Sequence, residues 1–119
     1  MNNIKFKYLY RDGANFKSWG DVVFSNPEQL TFDEVEKRFT AAFLPDTLFI
    51  ASQISIPEKF LFLKGEVTKY DHCYHEFECV EVSQENPTDD LERSITDFLN
   101  DIELALKNGW KSFNILDRL

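Results

Sequence analysis

The chain has 119 residues, with 13 basic and 21 acidic side chains that give a formal net charge of −8. That length fits one domain over residues 1–119, and twelve Phe, four Tyr and two Trp favour an aromatic core over disorder. The negative charge repels phosphate backbones and argues against direct nucleic-acid binding. The chain lacks both an apolar run near the roughly 20 residues of a membrane span and a signal-peptide pattern. A cytoplasmic protein without membrane association is therefore expected.

The charged residues are distributed unevenly along the chain. In residues 1–20, four basic side chains against Asp12 give a net charge of +3. In residues 76–103, ten acidic side chains against Arg93 give a net charge of −9. Because opposite charges attract, these two segments are expected to lie near each other in the fold.

Two strands are predicted at the start of the chain. Residues 4–10 begin by alternating apolar and basic side chains, and residues 19–24 are rich in aromatic and β-branched side chains. Both runs are typical of β-strands and predict an antiparallel hairpin. In the loop between them, Asp12 next to Gly13 is expected to cap the turn with its side chain, and Asn15 to tolerate a positive φ.

A first helix is predicted from residue 31 to about residue 43. Thr31 and Glu34 have the spacing of a capping box, in which each side chain bonds the backbone N–H of the other residue. Pro45 ends the helix because proline cannot continue it. Apolar residues at helical spacing form one stripe, made of Phe32, Val35, Phe39 and Ala42 or Phe43.

A second helix of about 20 residues is predicted near the end of the chain. Residues 86–90 supply a cap, a proline suited to a first turn and acids matched to the helix dipole. Asn108-Gly109 is a common left-handed terminator. The apolar stripe between these signals consists of Leu91, Ile95, Phe98, Leu99, Ile102, Ala105 and Leu106.

The middle of the chain gives a weaker signal. Residues 44–70 contain apolar runs too short to separate a strand from a buried helical turn, so they stay unassigned. Residues 74–82 read as a strand, with Phe77 and Cys79 on one face. The valines that follow fall out of phase with Phe77, which indicates a β-bulge near Cys79.

Together these elements predict an α+β fold. The order is β-β-α-(short elements)-β-α, with a small, mostly antiparallel sheet and two helices packed on one face.

Both cysteines and both histidines of the chain fall within residues 72–79. Cys73, His75 and Cys79 would share a face of a regular strand, which is one way to hold Zn²⁺. However, Phe77 lies between them, and the chain has no further Cys or His to complete a structural site. A reduced, buried structural cysteine is the commoner arrangement. We therefore predict no metal and no cofactor.

An acid–base site is a second hypothesis for the same segment. An imidazole suits proton transfer at neutral pH, and carboxylates can orient it. If the chain is a small enzyme, its site is expected around His72, His75, Glu76 and Glu78, assisted by Arg11. The alternative is that these charges form an ordinary solvated strand face.

The loop YRDGANFKSWG carries more side chains than a turn needs. Cationic and aromatic residues of this kind dominate binding hot spots, so the loop is a candidate recognition site. In a structural alternative, Arg11 pairs across the sheet with Glu76 or Glu78, and Trp19 closes the end of the core. The candidate binding residues are Tyr10, Arg11, Asp12, Asn15, Lys17 and Trp19.

Blocks of the form YRDGxNxK and DHxxHEFE, with a Trp-Gly strand and an SNPE break between them, resemble a group of small uncharacterised bacterial proteins. The resemblance covers most of the chain through Glu78 and implies a bacterial cytosolic origin, but no activity.

The sequence contains no phosphate-binding loop, no nucleophile elbow and no HExxH motif. The predicted function is therefore a non-enzymatic, acidic protein-binding module of the adaptor, immunity or antitoxin type. A basic protein partner would suit the acids of the last helix, which are Asp89, Asp90, Glu92, Asp97, Asp101 and Glu103.

Overall fold

A computed structural model describes residues 2–61, 67–69 and 71–118. It confirms the α+β fold. The four strands of one antiparallel sheet lie in the order β2-β1-β4-β3, and they span β1 Asn3–Arg11, β2 Lys17–Phe24, β3 Leu48–Phe49 and β4 His75–Ser83. Within the described residues, the α-helices are α1 Phe32–Ala42 and α2 Ile95–Asn108. Short 3-10 turns occupy Pro45–Thr47, Ala51–Ile54 and Ile115–Arg118.

The core lies between the sheet and the two helices, and it is rich in aromatic side chains. Phe6 of β1 is fully buried at its centre. Its ring centroid lies 5.0 Å from that of Phe39 in α1, 5.2 Å from that of Phe98 in α2 and 5.3 Å from that of Phe77 in β4. Contacts of this kind add to the burial of large apolar area, so one residue joins both helices to the sheet.

Helix α1 begins and ends where the sequence predicts. The Thr31 hydroxyl accepts the Glu34 N–H at 3.2 Å, and the Glu34 carboxylate accepts the Thr31 N–H at 3.1 Å. This capping box is the one expected from the spacing. The helix ends at Ala42, ahead of Pro45, and its buried residues are Val35, Phe39 and Ala42.

Helix α2 is shorter than predicted. It begins at Ile95 and has 14 residues, because a capping box between Ser94 and Asp97 fixes its start. The predicted start near residues 86–90 is wrong: Thr88 instead exchanges two hydrogen bonds of 2.9 Å with the main chain of Val23 in β2. Leu91 is consequently 59% exposed and does not belong to the buried stripe. The predicted terminator is confirmed, since Gly109 caps the helix with a φ of 88°.

A buried ion pair fixes the segment before α2. Arg93 donates to both carboxylate oxygens of Asp89, at 2.9 and 3.0 Å, and to the main-chain oxygens of Ile54 and Ser55, at 2.8 and 3.1 Å. Its guanidinium also lies 5.0 Å from the ring centroid of Phe98. Burial acts to raise the pKa of Asp89, but the hydrogen bonds from Arg93 outweigh it and lower that pKa. The pair therefore ties this segment to the core as a charged unit.

The predicted β-bulge is present in β4. Tyr8 of β1 lies opposite Phe77 and Lys7 lies opposite Cys79, so Glu78 is the extra residue. The bulge reverses the alternation of β4: Phe77 and Val80 both face the helices, and Cys79 lies on the other face beside Lys7. The expectation that Phe77 and Cys79 share a face is therefore wrong.

Opposite charges meet on the sheet face that points away from the helices. Residues of β1 form three salt bridges with residues in and just after β4. The pairs are Lys5 with Glu85, Lys7 with Glu81 at 3.2 Å, and Arg11 with Glu76 at 3.0 Å. These contacts confirm that the basic N-terminal segment lies against the acidic one.

Candidate functional site

The loop between β1 and β2 is held in one conformation by its own side chains. One carboxylate oxygen of Asp12 accepts the N–H groups of Ala14 and Phe16, at 2.9 and 3.0 Å. Asn15 has a φ of 70°, in the left-handed region. The turn chemistry predicted for Asp12 and Asn15 is confirmed, and it leaves the side chain of Phe16 67% exposed at the end of the loop.

A concavity of about 610 Å³ lies beside this loop. It is formed where the end of β1, the start of β4 and the turn before β3 come together. The residues that line it are Arg11, Asp12, Asp46, Thr47, Leu48, His72, Tyr74 and Glu76.

Arg11 links the loop to β4. Its Nε and Nη2 donate to the two carboxylate oxygens of Glu76 at 3.2 and 3.0 Å, and its Nη1 donates to the Asn15 side-chain oxygen at 2.6 Å. The Arg11 side chain is 37% exposed and that of Glu76 is 23% exposed. A guanidinium that donates two hydrogen bonds to one carboxylate binds it more strongly than a single hydrogen bond would. Arg11 therefore holds the loop against the sheet.

His72 lines the concavity, but both of its ring nitrogens have partners. Nδ1 accepts the Tyr74 N–H at 3.1 Å, so Nε2 carries the proton and donates to the Arg11 main-chain oxygen at 2.7 Å. In this arrangement the ring fixes the backbone at the start of β4.

His75 does not reach the concavity. It is 1% exposed and lies on the helix-facing side of the sheet, with its ring centroid 4.8 Å from that of Phe60. Nε2 accepts the Lys59 N–H at 2.8 Å. Burial lowers the pKa of His75 to about 3, and electrostatic interactions with His72 and Lys59 lower it further. His75 is therefore a neutral core residue at neutral pH.

The remaining candidates of the metal and acid–base hypotheses are dispersed. Glu78 lines a separate depression, together with Lys7, Trp19, Gly20 and Asp21. Because of the bulge, Cys79 lies on the opposite face from His75, so Cys73, His75 and Cys79 do not share one face. Within residues 2–61, 67–69 and 71–118, the side chains form no group of three potential metal ligands.

The predicted binding residues divide into buried and exposed positions. Tyr10 is fully buried, and its hydroxyl donates to Asp71 at 2.6 Å. Burial is the largest of the effects that raise its pKa. Lys17 is exposed, and Trp19 is 54% exposed on the outer face of β2. The expectation that Trp19 closes the end of the core is therefore wrong.

Half of the concavity comes from residues that the sequence did not single out. Asp46 and Thr47 form a turn with positive φ values of 63° and 58°. The Thr47 hydroxyl lies 2.6 Å from the Asp46 main-chain oxygen and 3.2 Å from that of Phe77. Both residues belong to the unassigned segment 44–70; Asp tolerates the left-handed region without requiring it, and the β-branched Thr rarely adopts it. No sequence signal pointed to them.

Most acids of the last helix and its approach have partners in the fold. Asp89 and Asp101 bind Arg93, Glu103 binds Arg38, and Asp97 caps the helix. These contacts explain the presence of those four carboxylates, whereas Asp90 and Glu92 are exposed to solvent.

Comparison with known proteins returned no match, whether with family models, curated proteins or solved structures. The resemblance to a group of small bacterial proteins therefore stays a prediction. None of the helices in the described part of the chain has both the length and the apolar character needed to cross a membrane.

Arg11→Ala is expected to lower the free energy of unfolding by about 1–2 kcal/mol, because its pair with Glu76 is intermediate between exposed and buried. Chemical denaturation of Arg11→Ala, Glu76→Ala and the double variant measures the coupling, expected at about 1 kcal/mol. Glu78→Ala is the matched control, and its effect should add to that of Arg11→Ala within about 0.5 kcal/mol. If the effects of Arg11→Ala and Glu76→Ala on the free energy of unfolding were additive as well, the pairing would be contradicted.

Proposed function

We propose that this chain is a non-catalytic protein-binding module of the adaptor, immunity or antitoxin type, acting in a bacterial cytosol. Its recognition surface is the loop between β1 and β2 together with the neighbouring concavity. The observation that carries the proposal is an aromatic side chain, Phe16, that is 67% exposed on a loop of fixed conformation.

A rigid loop favours binding because little conformational entropy is lost when the partner docks. Here the bonds from Asp12 to Ala14 and Phe16 fix the main chain, and Arg11 braces Asn15 against β4. Without a partner to cover it, an exposed aromatic side chain leaves apolar area in water and adds nothing to the stability of the fold. The loop thus combines the two properties of a binding hot spot, preorganisation and a large apolar side chain.

The charge of the concavity favours a basic partner. Its lining includes the carboxylates of Asp12, Asp46 and Glu76 against the guanidinium of Arg11. The chain as a whole is also acidic, with a net charge of −8. Complementary charge speeds the encounter between two proteins and helps to select the partner.

The alternative, a small enzyme around His72, His75, Glu76, Glu78 and Arg11, has less support. His75 and Glu78 lie outside the concavity. His72 uses both ring nitrogens for main-chain groups, and Arg11 and Glu76 bind each other. In the described residues, this leaves the concavity without an imidazole nitrogen available to accept a proton from a substrate.

Affinity capture from the source cell tests the proposal. The tagged chain is compared with Phe16→Ser and with Leu91→Ser, a control at a similarly exposed position, 59%, away from the loop. We expect a protein that is retained by the wild type and by Leu91→Ser but lost with Phe16→Ser. Once purified, it should bind Phe16→Ser roughly thirtyfold more weakly, the loss typical of a hot-spot residue. Equal capture by all three chains would contradict the proposal.

A further inference from the structure

Strand β2 is an edge strand, and part of its free edge is covered by the chain itself. The main chain of Val23 exchanges hydrogen bonds with Thr88, and the oxygen of Ser25 accepts the Ile95 N–H at 2.7 Å. Both groups point away from β1. Since successive residues of a strand direct their N–H and C=O groups to opposite sides, every second residue of β2 does the same.

The remaining members of this set within β2 are Lys17, Trp19 and Asp21, and all three are exposed. The hydrogen bond from the Asp12 N–H to the Phe16 oxygen, 3.0 Å, agrees with this assignment, because it puts Phe16 and Ser18 on the side of β1. In the part of the chain that the structure describes, the outward N–H and C=O groups of Lys17, Trp19 and Asp21 have no hydrogen-bond partner. An open strand edge of this kind is a template for another strand.

We propose that this edge pairs with the same edge of a second copy of the chain. The copies would be antiparallel and related by a twofold axis at Trp19, which places Lys17 opposite Asp21 of the second copy. Trp19 would then lie opposite its own counterpart, and the two sheets would form one continuous sheet of eight strands.

Charge favours this register over those centred on Lys17 or Asp21. A twofold axis at Lys17 would put two lysines opposite each other, and an axis at Asp21 would put two aspartates opposite each other. With the axis at Trp19, two unlike pairs flank an aromatic pair, and both kinds of cross-strand contact are favourable. This axis also lets Trp19 exchange both main-chain hydrogen bonds with its counterpart, because its N–H and C=O point outward.

The length of the paired segment is limited at one end by Thr88, which occupies the edge beyond Asp21. Trp19 is 54% exposed on the outer sheet face, so pairing would cover apolar area that the single chain leaves in water. This self-association does not depend on the partner proposed for the Phe16 loop, because purified chain alone is sufficient to test it.

Analytical ultracentrifugation of the purified chain, from micromolar to millimolar concentration, tests the proposal with a charge exchange. We expect a monomer–dimer equilibrium for the wild type, and dissociation constants raised roughly tenfold for Lys17→Asp and for Asp21→Lys, because each puts like charges opposite in both pairs. The double variant Lys17→Asp/Asp21→Lys should recover the wild-type constant to within about threefold. Circular dichroism of each variant verifies that the exposed substitutions leave the fold intact.

Three results would overturn the proposal. The first is a wild-type chain that stays monomeric at every concentration, as expected if the edge serves a strand of another protein. The second is a dimer whose dissociation constant is unchanged by either single substitution, since a different surface would then be involved. The third is a double variant that dimerises no better than the single ones, because the register centred on Trp19 would then be wrong.

Discussion

Arg93→Ala is expected to lower the free energy of unfolding by about 3–5 kcal/mol, the cost of leaving one partner of a buried ion pair without the other. The side chains of Arg93 and Asp89 are 8% and 3% exposed, so water cannot replace the guanidinium beside the carboxylate. The main-chain oxygens of Ile54 and Ser55 would also lose their donor. Chemical denaturation at neutral pH measures the loss.

Arg38→Ala is the matched control for this experiment. Arg38 binds Glu103 through two hydrogen bonds, but the side chains are 31% and 44% exposed. Its loss should cost no more than about 1 kcal/mol, because water can solvate the remaining carboxylate. A similar effect for both substitutions would contradict the distinction between the buried pair and the exposed one.

The stability of the fold is expected to fall by about 2 kcal/mol as the pH is lowered from about 6.5 to about 4.5. In the folded chain the pKa of His75 is lowered to about 3, whereas an unfolded histidine titrates near 6.5. The unfolded state therefore binds a proton in this range that the folded state does not. The stabilisation is complete above the unfolded pKa and is lost as the pH falls toward the folded one.

His75→Gln is expected to remove most of this pH dependence. The glutamine side chain does not titrate, and its oxygen can accept the Lys59 N–H that Nε2 accepts in the wild type. Denaturant unfolding of both chains across the range gives the two slopes. An unchanged slope in His75→Gln would mean that other groups cause the loss, and an NMR titration of the His75 ring signals would check the assignment independently.

The predictions that succeeded rest on local signals. The capping box of α1 and the turn at Asp12 depend on side chains within a few residues of the backbone groups they bond, so the sequence contains the whole interaction. The sequence places the start of α2 too early, because Thr88 in the apparent cap bonds a distant strand instead of the helix. Thr88 bonds Val23, 65 residues away, and a contact between such distant residues produces no periodic pattern in the sequence.

The candidate site shows the same limit. The charge asymmetry predicts that the basic N-terminal segment meets the acidic residues 76–103, and the pair of Arg11 with Glu76 agrees with it. The irregular phase of β4 indicated the bulge, but placing Cys79 on the outer face required the register with β1. Asp46 and Thr47 adopt a left-handed turn that neither residue type demands, so their contribution to the concavity came from tertiary structure alone.

The position of β1 in the sheet has a consequence for the order of folding. β1 lies between β2 and β4, and its neighbour β2 follows within a short loop. β4 begins only at His75, so the second side of β1 stays unpaired until more than half of the chain has left the ribosome. Closing so long a segment is slow, because its entropy is lost before the contacts form. During synthesis, β1 and β2 are therefore available to pair before β4 exists, but a lone hairpin has both edges open and is only marginally stable in water.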